Sequence, residues 1–294
     1  MNPKDSGALS GVLTAMATPF TDDGEVDHDA AGRLANHLLA NGSDGLVVAG
    51  STGEAATLDD EEQIALLRSV RDAVGDGVTL ICGTGTNDTR HSAALTRAAD
   101  EAGADAMLVV TPYYNKPNRG GMRAHVETVA AVTEKPIVLY NIPARTVINV
   151  PPEELAELAE IDNVVAVKQA NDDELEPIPG LAVLAGNDGV FLRCLEMGGA
   201  GGILVASHIV GPQMAEIRDR VGAGEPERAR EIDATLQPLY DALGVTTNPM
   251  PLKEALGMLG ICSPRMRLPM IPCDEGQRAV VRAALERLEL EVVA

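Results

Sequence analysis

Tryptophan is absent, and the 294 residues include only two phenylalanines and four tyrosines. The core must therefore be built from Ala, Val, Leu and Ile, and a hydrophobic content of 45% is enough for a sizeable one. Basic residues are scarce. Five lysines (4, 116, 135, 168 and 253) and 18 arginines face 44 acidic residues, for a formal net charge of −21. That balance excludes nucleic acid and an anionic membrane surface as partners. The acid is spread along the chain, not gathered in a tail, and reads as a solvated surface adapted to high salt. Cysteines 82, 194, 262 and 273 form no CxxC pair and lie in or beside apolar segments, which predicts reduced thiols in a cytoplasmic protein. No apolar run nears the roughly 20 residues of a membrane helix. The polar start, Met1 to Gly7, lacks the apolar region of a signal peptide. The five histidines (28, 37, 91, 125 and 208) show no metal-ligand spacing, so neither metal nor cofactor is expected.

What is present is alternation. Eight short apolar runs read as strands, near 12–18, 45–49, 79–82, 106–111, 137–141, 164–168, 182–185 and 202–206. Helical spacing lies between most of them. Leu34, Leu38 and Leu39 share one face, and Ile64, Leu66, Leu67 and Val70 another. Asp59 before Glu61-Glu62 is an N-cap signal, with Thr89 and Pro152 weaker starts. Strand–helix alternation implies parallel pairing with right-handed crossovers, and eight units predict a closed (β/α)₈ barrel. A weak repeat agrees: Asn41-Gly42-Ser43-Asp44, Ala102-Gly103-Ala104-Asp105 and Gly198-Gly199-Ala200-Gly201 each precede a strand. The sixth helix is expected to be short or distorted, because only 169–181 separates two strands and Pro177 and Pro179 interrupt it. Helices near 211–222, 226–242, 250–259 and 275–289 should close the barrel and add a further layer. The expected division is a catalytic barrel over 1–224 and a helical subdomain over 225–294 packed on it.

One strand carries chemistry. Val164-Val165-Ala166-Val167 runs straight into Lys168, the only lysine preceded by such a run. Lysine is rarely inside a protein unless something there uses it. Burial disfavours an amine's charged form, and the free amine can attack a carbonyl. Two readings stand: a Schiff-base lysine at a barrel strand's C-terminal end, or a strand-end lysine snorkelling to solvent. The other strand ends supply Gly50-Ser51-Thr52-Gly53-Glu54, Gly83-Thr84-Gly85-Thr86-Asn87, Tyr113-Tyr114, Tyr140-Asn141 and Gly186-Asn187-Asp188. Three of the four tyrosines lie there, where a phenol near an amine can shuttle protons or simply cap the barrel mouth. The 50–54 loop offers hydroxyls and N–H groups before a helix, suited to a carboxylate or phosphate. It is not a phosphate-binding GK[ST] loop, and Gly83-x-Gly85 lacks the third glycine of a dinucleotide fingerprint.

Five stretches together carry a resemblance: GSTGE at 50–54, TPYYNKP at 111–117, YNIPART at 140–146, VKQA at 167–170 and NPMPLK at 248–253. Over residues 10 to 289 the chain resembles the dihydrodipicolinate synthase / N-acetylneuraminate lyase family of class I, pyruvate-dependent aldolases. The resemblance implies that Lys168 forms an imine with pyruvate and that Tyr140 is the acid–base group over it. Ser51, Tyr140 and Tyr114 would form a proton relay, with Tyr114 reaching a neighbouring subunit's site. Thr52, its loop backbone, Gly186 and Ile203 would hold pyruvate, and Arg145 the carboxylate of the second substrate. A homotetramer, a dimer of dimers, is implied too.

The branch needs separate argument. Arg145, the double tyrosine and NPMPLK look like the synthases, which condense pyruvate with aspartate semialdehyde towards diaminopimelate and lysine. Ser51 and Gln169 look like the lyases. Ala170 and Gly189, however, replace hydroxyl-binding groups that a polyhydroxylated substrate would need. The synthase reading leads. A 2-keto-3-deoxy sugar-acid aldolase or sialic-acid-type lyase is the alternative, and a non-catalytic binding protein a third. Many synthases bind lysine near the second and third strand loops; there this chain has His91 where an acid is usual, and Gln63 where a histidine is.

Overall fold

The computed structural model describes residues 9–293; the polar start of the chain and the N-terminal edge of the expected barrel lie outside them. Eight strands, β1 (Gly11–Ala15), β2 (Gly45–Val48), β3 (Thr79–Gly83), β4 (Ala106–Val110), β5 (Ile137–Asn141), β6 (Val164–Gln169), β7 (Ala182–Ala185) and β8 (Gly201–Leu204), pair in sequence order. All pairs are parallel, and β8 closes on β1 through Leu13 opposite Ile203. Between them run α1 (His28–Ala40), α2 (Asp60–Val74), α3 (Thr89–Glu101), α4 (Arg119–Ala130), α5 (Pro143–Thr146), α6 (Pro152–Leu158) and α7 (Phe191–Glu196). The chain ends in α8 (Ser207–Gly222), α9 (Pro226–Leu243), α10 (Met250–Met258) and α11 (Glu275–Arg287). The expected (β/α)₈ barrel with a C-terminal helical layer is the fold.

The barrel interior is aliphatic. Leu13, Val47, Ile81, Leu108, Val138, Ala166, Leu184 and Ile203, one per strand, form a single buried cluster. Alternation sends the other strand faces outward onto the helices, where Leu34, Leu38, Leu66, Leu67 and Val70 are buried. Leu39 is only partly covered. Each such side chain contributes roughly 1.5–3 kcal/mol by leaving water.

The repeated loops have a common task. Asp44 Oδ2 accepts from the Val12 N–H at 2.7 Å, and Asp105 Oδ2 from the Leu80 N–H at 2.8 Å. Each carboxylate also meets an arginine, Arg218 for Asp44 and Arg71 for Asp105. The third copy has Gly201 at this position, with φ of 148° and a Cβ site only 2.1 Å from the Gly11 carbonyl. A side chain cannot fit there, so the repeat loses its aspartate where β8 closes on β1.

The helix starts expected at Asp59, Thr89 and Pro152 hold, and the eighth barrel helix differs. Asp59 caps α2 in a full capping box with Glu62. The α3 cap is Asp88, one residue before Thr89, because its carboxylate takes the Arg90 and His91 N–H groups. Pro152 stands at the first helical position of α6. The sixth barrel helix is reduced to a 3₁₀ turn at Asp172–Glu174. The eighth begins at Ser207, four residues early, and bends at Val210 ahead of Pro212, which has no N–H to give. All four cysteines are free. Among the described residues, no helix is long and apolar enough to cross a membrane, and no cluster of three or more His, Cys, Asp or Glu could hold a metal ion.

Candidate active site

β6 is buried along its whole length, and its lysine stays inside: Lys168 is 5% exposed. Snorkelling is therefore not what this side chain does. Tyr140, also 5% exposed, pairs directly with Lys168 across β5 and β6, so both project to the same side. The Lys168 Nζ lies 4.3 Å from the centre of the Tyr140 ring. On the other flank Lys168 pairs with Leu184, which walls the amine with hydrocarbon.

The next residue of each strand faces the opposite way and builds a buried amide lattice. The Asn141 Nδ2 donates to Gln169 Oε1 at 3.0 Å, while Asn141 Oδ1 accepts from the Val150 N–H at 3.1 Å. The Asn171 N–H donates to the same Gln169 oxygen at 3.1 Å. Both amides are fully buried. These bonds fix β5 against β6 one residue past Tyr140 and Lys168, where a slip would separate the ring from the amine.

The loop after β2 is bent into shape. Ala49 and Glu54 hold φ of 52° and 56°, a left-handed conformation uncommon outside glycine. Glu54 is 4% exposed and meets the fully buried Lys253 of α10, Oε1 to Nζ at 2.5 Å. Lys253 also donates to the Arg265 carbonyl at 2.7 Å and lies over the Phe20 ring. Burial pulls the Lys253 amine down from the usual lysine range, and the Glu54 carboxylate opposes it. The other Glu54 oxygen accepts from the Arg267 N–H at 3.1 Å. Arg267 is held in turn by both oxygens of Glu62, which it keeps below the usual carboxylate range. The loop carrying Ser51 and Thr52 is thus clamped from beneath by the C-terminal layer.

A cavity of about 480 Å³ opens at the C-terminal ends of the strands, with Ser51, Tyr140, Arg145, Tyr113 and Asn248 on its wall. The Arg145 Nη2 donates to the Asn248 carbonyl at 2.8 Å, and the Asn248 Nδ2 to Thr52 Oγ1 at 2.9 Å. Ile203 is fully buried in the barrel cluster below. Gly186 follows β7, where a Cβ would lie 2.6 Å from that of Ala170 and 2.7 Å from the Gln169 carbonyl. Only glycine lets β7 pass β6 so closely. Asp188, two residues on, accepts from the Val205 and Ala206 N–H groups at 2.9 and 3.0 Å. Burial pushes its carboxyl up from the usual range, while those N–H groups and the nearby Lys168 pull it down.

Of the expected site residues, Ser51, Tyr140 and Arg145 share the wall of this cavity; Lys168 lies beside Tyr140, Thr52 is tied to Asn248 on the wall, and Gly186 and Ile203 stand apart from it. Tyr114 does not join them: it is 86% exposed, with φ of 73°. No hydrogen bond among the described residues links Ser51, Tyr140 and Tyr114. Three contributors escape a reading of motifs alone. Asn141 and Gln169 act through their backs, and the Asn248 side chain matters only because α10 is docked beside the β2 loop. NPMPLK was visible as a motif; its contact with Thr52 was not.

Known proteins share this chain's sequence and fold. The model of the dihydrodipicolinate synthetase family matches residues 8–288. The 4-hydroxy-tetrahydrodipicolinate synthase of Moorella thermoacetica is 44% identical over 286 residues, spanning 95% of this chain and 98% of that protein. A solved dihydrodipicolinate synthase from Aquifex aeolicus superposes with a TM-score of 0.93 at 36% identity, covering 97% of this chain and 100% of that one. A dihydrodipicolinate synthase from Cyanidioschyzon merolae, solved with lysine bound, gives 0.92 at 38%, covering 96% and 99%.

Proposed function

The chain belongs to the dihydrodipicolinate synthetase family, and on that premise we propose that it condenses pyruvate with L-aspartate 4-semialdehyde to 4-hydroxy-tetrahydrodipicolinate, serving lysine and diaminopimelate biosynthesis. The observation that carries this reading is Lys168, buried at a barrel strand end with Tyr140 over its amine. The amine attacks the pyruvate keto carbon, and loss of water leaves an imine. A methyl proton then leaves to give an enamine, whose carbon attacks the aldehyde; the adduct's own amino group next attacks the re-formed imine carbon, which closes the ring and expels the Lys168 amine. Tyr140 moves protons for these steps, in a relay with Ser51 and with Tyr114 of a second copy. Thr52, Gly186 and Ile203 hold pyruvate, and Arg145 takes the carboxylate of the aldehyde substrate.

The exposed Tyr114 and Val147, with Leu268 and Ile271, support assembly with further copies, as a homotetramer. We place the protein in the cytoplasm, with its acidic surface suited to high salt. Residues 1–224 form the catalytic part, and 225–294 the layer that supports it. Ser51 and Gln169 do not turn the site towards sugar acids: Ser51 retains the relay hydroxyl, and Gln169 faces the amide lattice. Lysine at millimolar concentration should leave the rate nearly unchanged, because His91 stands where an anion would be needed and already pairs with Asp60 at 2.7 Å. The test is a condensation assay with aspartate semialdehyde beside a cleavage assay with sugar acids, the first repeated across lysine concentrations. Cleavage without condensation would overturn the assignment.

A further inference from the structure

Resting on the reading that pyruvate's carboxylate sits at Thr52, we propose that Asn248 is a positioning residue that sets the direction of the Thr52 hydroxyl. The Asn248 Nδ2 lies 2.9 Å from Thr52 Oγ1, across 196 residues of sequence. In this orientation the amide nitrogen donates and the hydroxyl oxygen accepts, so the hydroxyl hydrogen turns elsewhere, while the Asn248 Oδ1 is buried without a partner among the described residues. Thr52 is 3% exposed, so no bulk water competes for that hydrogen. A hydroxyl fixed in this way is a preorganised donor to an anion. The same residue serves the other substrate through its backbone, because its carbonyl accepts from Arg145 Nη2 at 2.8 Å. Side chain and main chain of one residue thus set the groups that face the two carboxylates.

Asn248 can do this because it is itself held. It adjoins Pro249, the N-cap of α10, whose Lys253 is locked to Glu54 in the loop that carries Thr52. The strap and the hydroxyl it orients are therefore fixed to one another twice, once through the buried ion pair and once through the amide.

A merely structural strap and a hydroxyl-orienting group differ in what an isosteric acid does. In Asn248→Asp the shape is kept but the donor becomes an acceptor, so the Thr52 hydrogen turns away from pyruvate. The readout is the pyruvate concentration giving half-maximal borohydride trapping at Lys168, measured on the full-length protein. Asn248→Asp should raise it by about tenfold or more, the scale of a lost hydrogen bond to a charged group. Thr52→Val should raise it similarly. The double variant should be no worse than the more severe single one, because both act through one hydroxyl. Asn248→Leu, which also removes the donor but adds no charge, separates this effect from repulsion and should raise it too. Thermal unfolding of each variant checks that the fold survives. Additive single effects, or unchanged trapping in Asn248→Asp while the unaltered protein traps pyruvate, would overturn the proposal. Failure of the unaltered protein to trap pyruvate would instead sink the underlying reading, and this inference with it.

Discussion

The Lys168 amine is stacked over the face of the Tyr140 ring, 4.3 Å from its centre, and the two residues are direct partners in the β5–β6 register. The ring face is the electron-rich side of the phenol, and it attracts a cation while leaving the hydroxyl free at the rim. Pyruvate with borohydride should therefore attach one three-carbon adduct at Lys168 and inactivate the protein. Lys168→Ala should take up none. Mass mapping that found the adduct on Lys253 or Lys116 would sink the mechanism.

Tyr140→Phe keeps the ring over the amine and removes only the hydroxyl. It should lower kcat by about two orders of magnitude or more, the scale of a positioned acid–base group. Ser51→Ala should fall comparably and Ser51→Thr should retain activity. A Ser51→Ala protein close to the unaltered rate would reduce that hydroxyl to a turn former.

Arg145 is exposed at the mouth, and one nitrogen of its guanidinium is occupied by the Asn248 carbonyl. Arg145→Ala should raise KM for aspartate semialdehyde about tenfold or more, as loss of a charge-assisted bond implies. Borohydride trapping of pyruvate should survive. Equal rises in both KM values would make the arginine a structural tie.

The ion pair under the β2 loop is open to a stability test. Lys253→Met strands the Glu54 carboxylate inside the protein and should cost about 3–5 kcal/mol in urea unfolding. Adding Glu54→Gln should recover much of that. If the double variant is as unstable as the single one, the ion pair is not the source of the loss.

His208 gives the protein an acid-sensitive joint. It is 2% exposed; its Nδ1 lies 2.8 Å from the Val205 carbonyl and its Nε2 accepts from the Ala17 N–H at 3.1 Å. Burial pulls the imidazole down to about 4 from the ordinary 6.5. The unfolded chain therefore binds the proton first. The resulting stability is fully present above about pH 6.5 and is lost as pH falls towards 4, on the order of 3 kcal/mol in all. Denaturant titrations at pH 7 and pH 4.5 should show the fall, and His208→Gln should flatten that part of the slope.

Much of the molecule was legible because its information is local. The apolar run into Lys168 exposed a buried strand end, and the repeated Gly-x-Asp loops marked units whose aspartates each anchor the neighbouring strand. Contacts across the chain were not legible. Nothing in GSTGE says that its glutamate meets Lys253, or that its threonine meets Asn248. Those pairings depend on how α10 docks, which periodicity does not specify. Thr89, read as a helix start, is the first residue of α3, and the cap is the adjacent Asp88, whose carboxylate takes the Arg90 and His91 N–H groups. Tyr114 shows another limit. Its place at a strand end was readable, but its outward, left-handed conformation follows from the 111–117 loop as a whole.

The clamp beneath the β2 loop also bears on the order of events during synthesis. A ribosome releases Ser51 and Thr52 early, and Lys168 and Tyr140 well before the end. The groups that lock the loop, Asn248, Lys253 and Arg267, emerge last. A nascent chain can thus hold all eight strands and Lys168 before the contacts that clamp the β2 loop exist. The β2 loop reaches its clamped form only once α10 and the segment around Arg267 have been made.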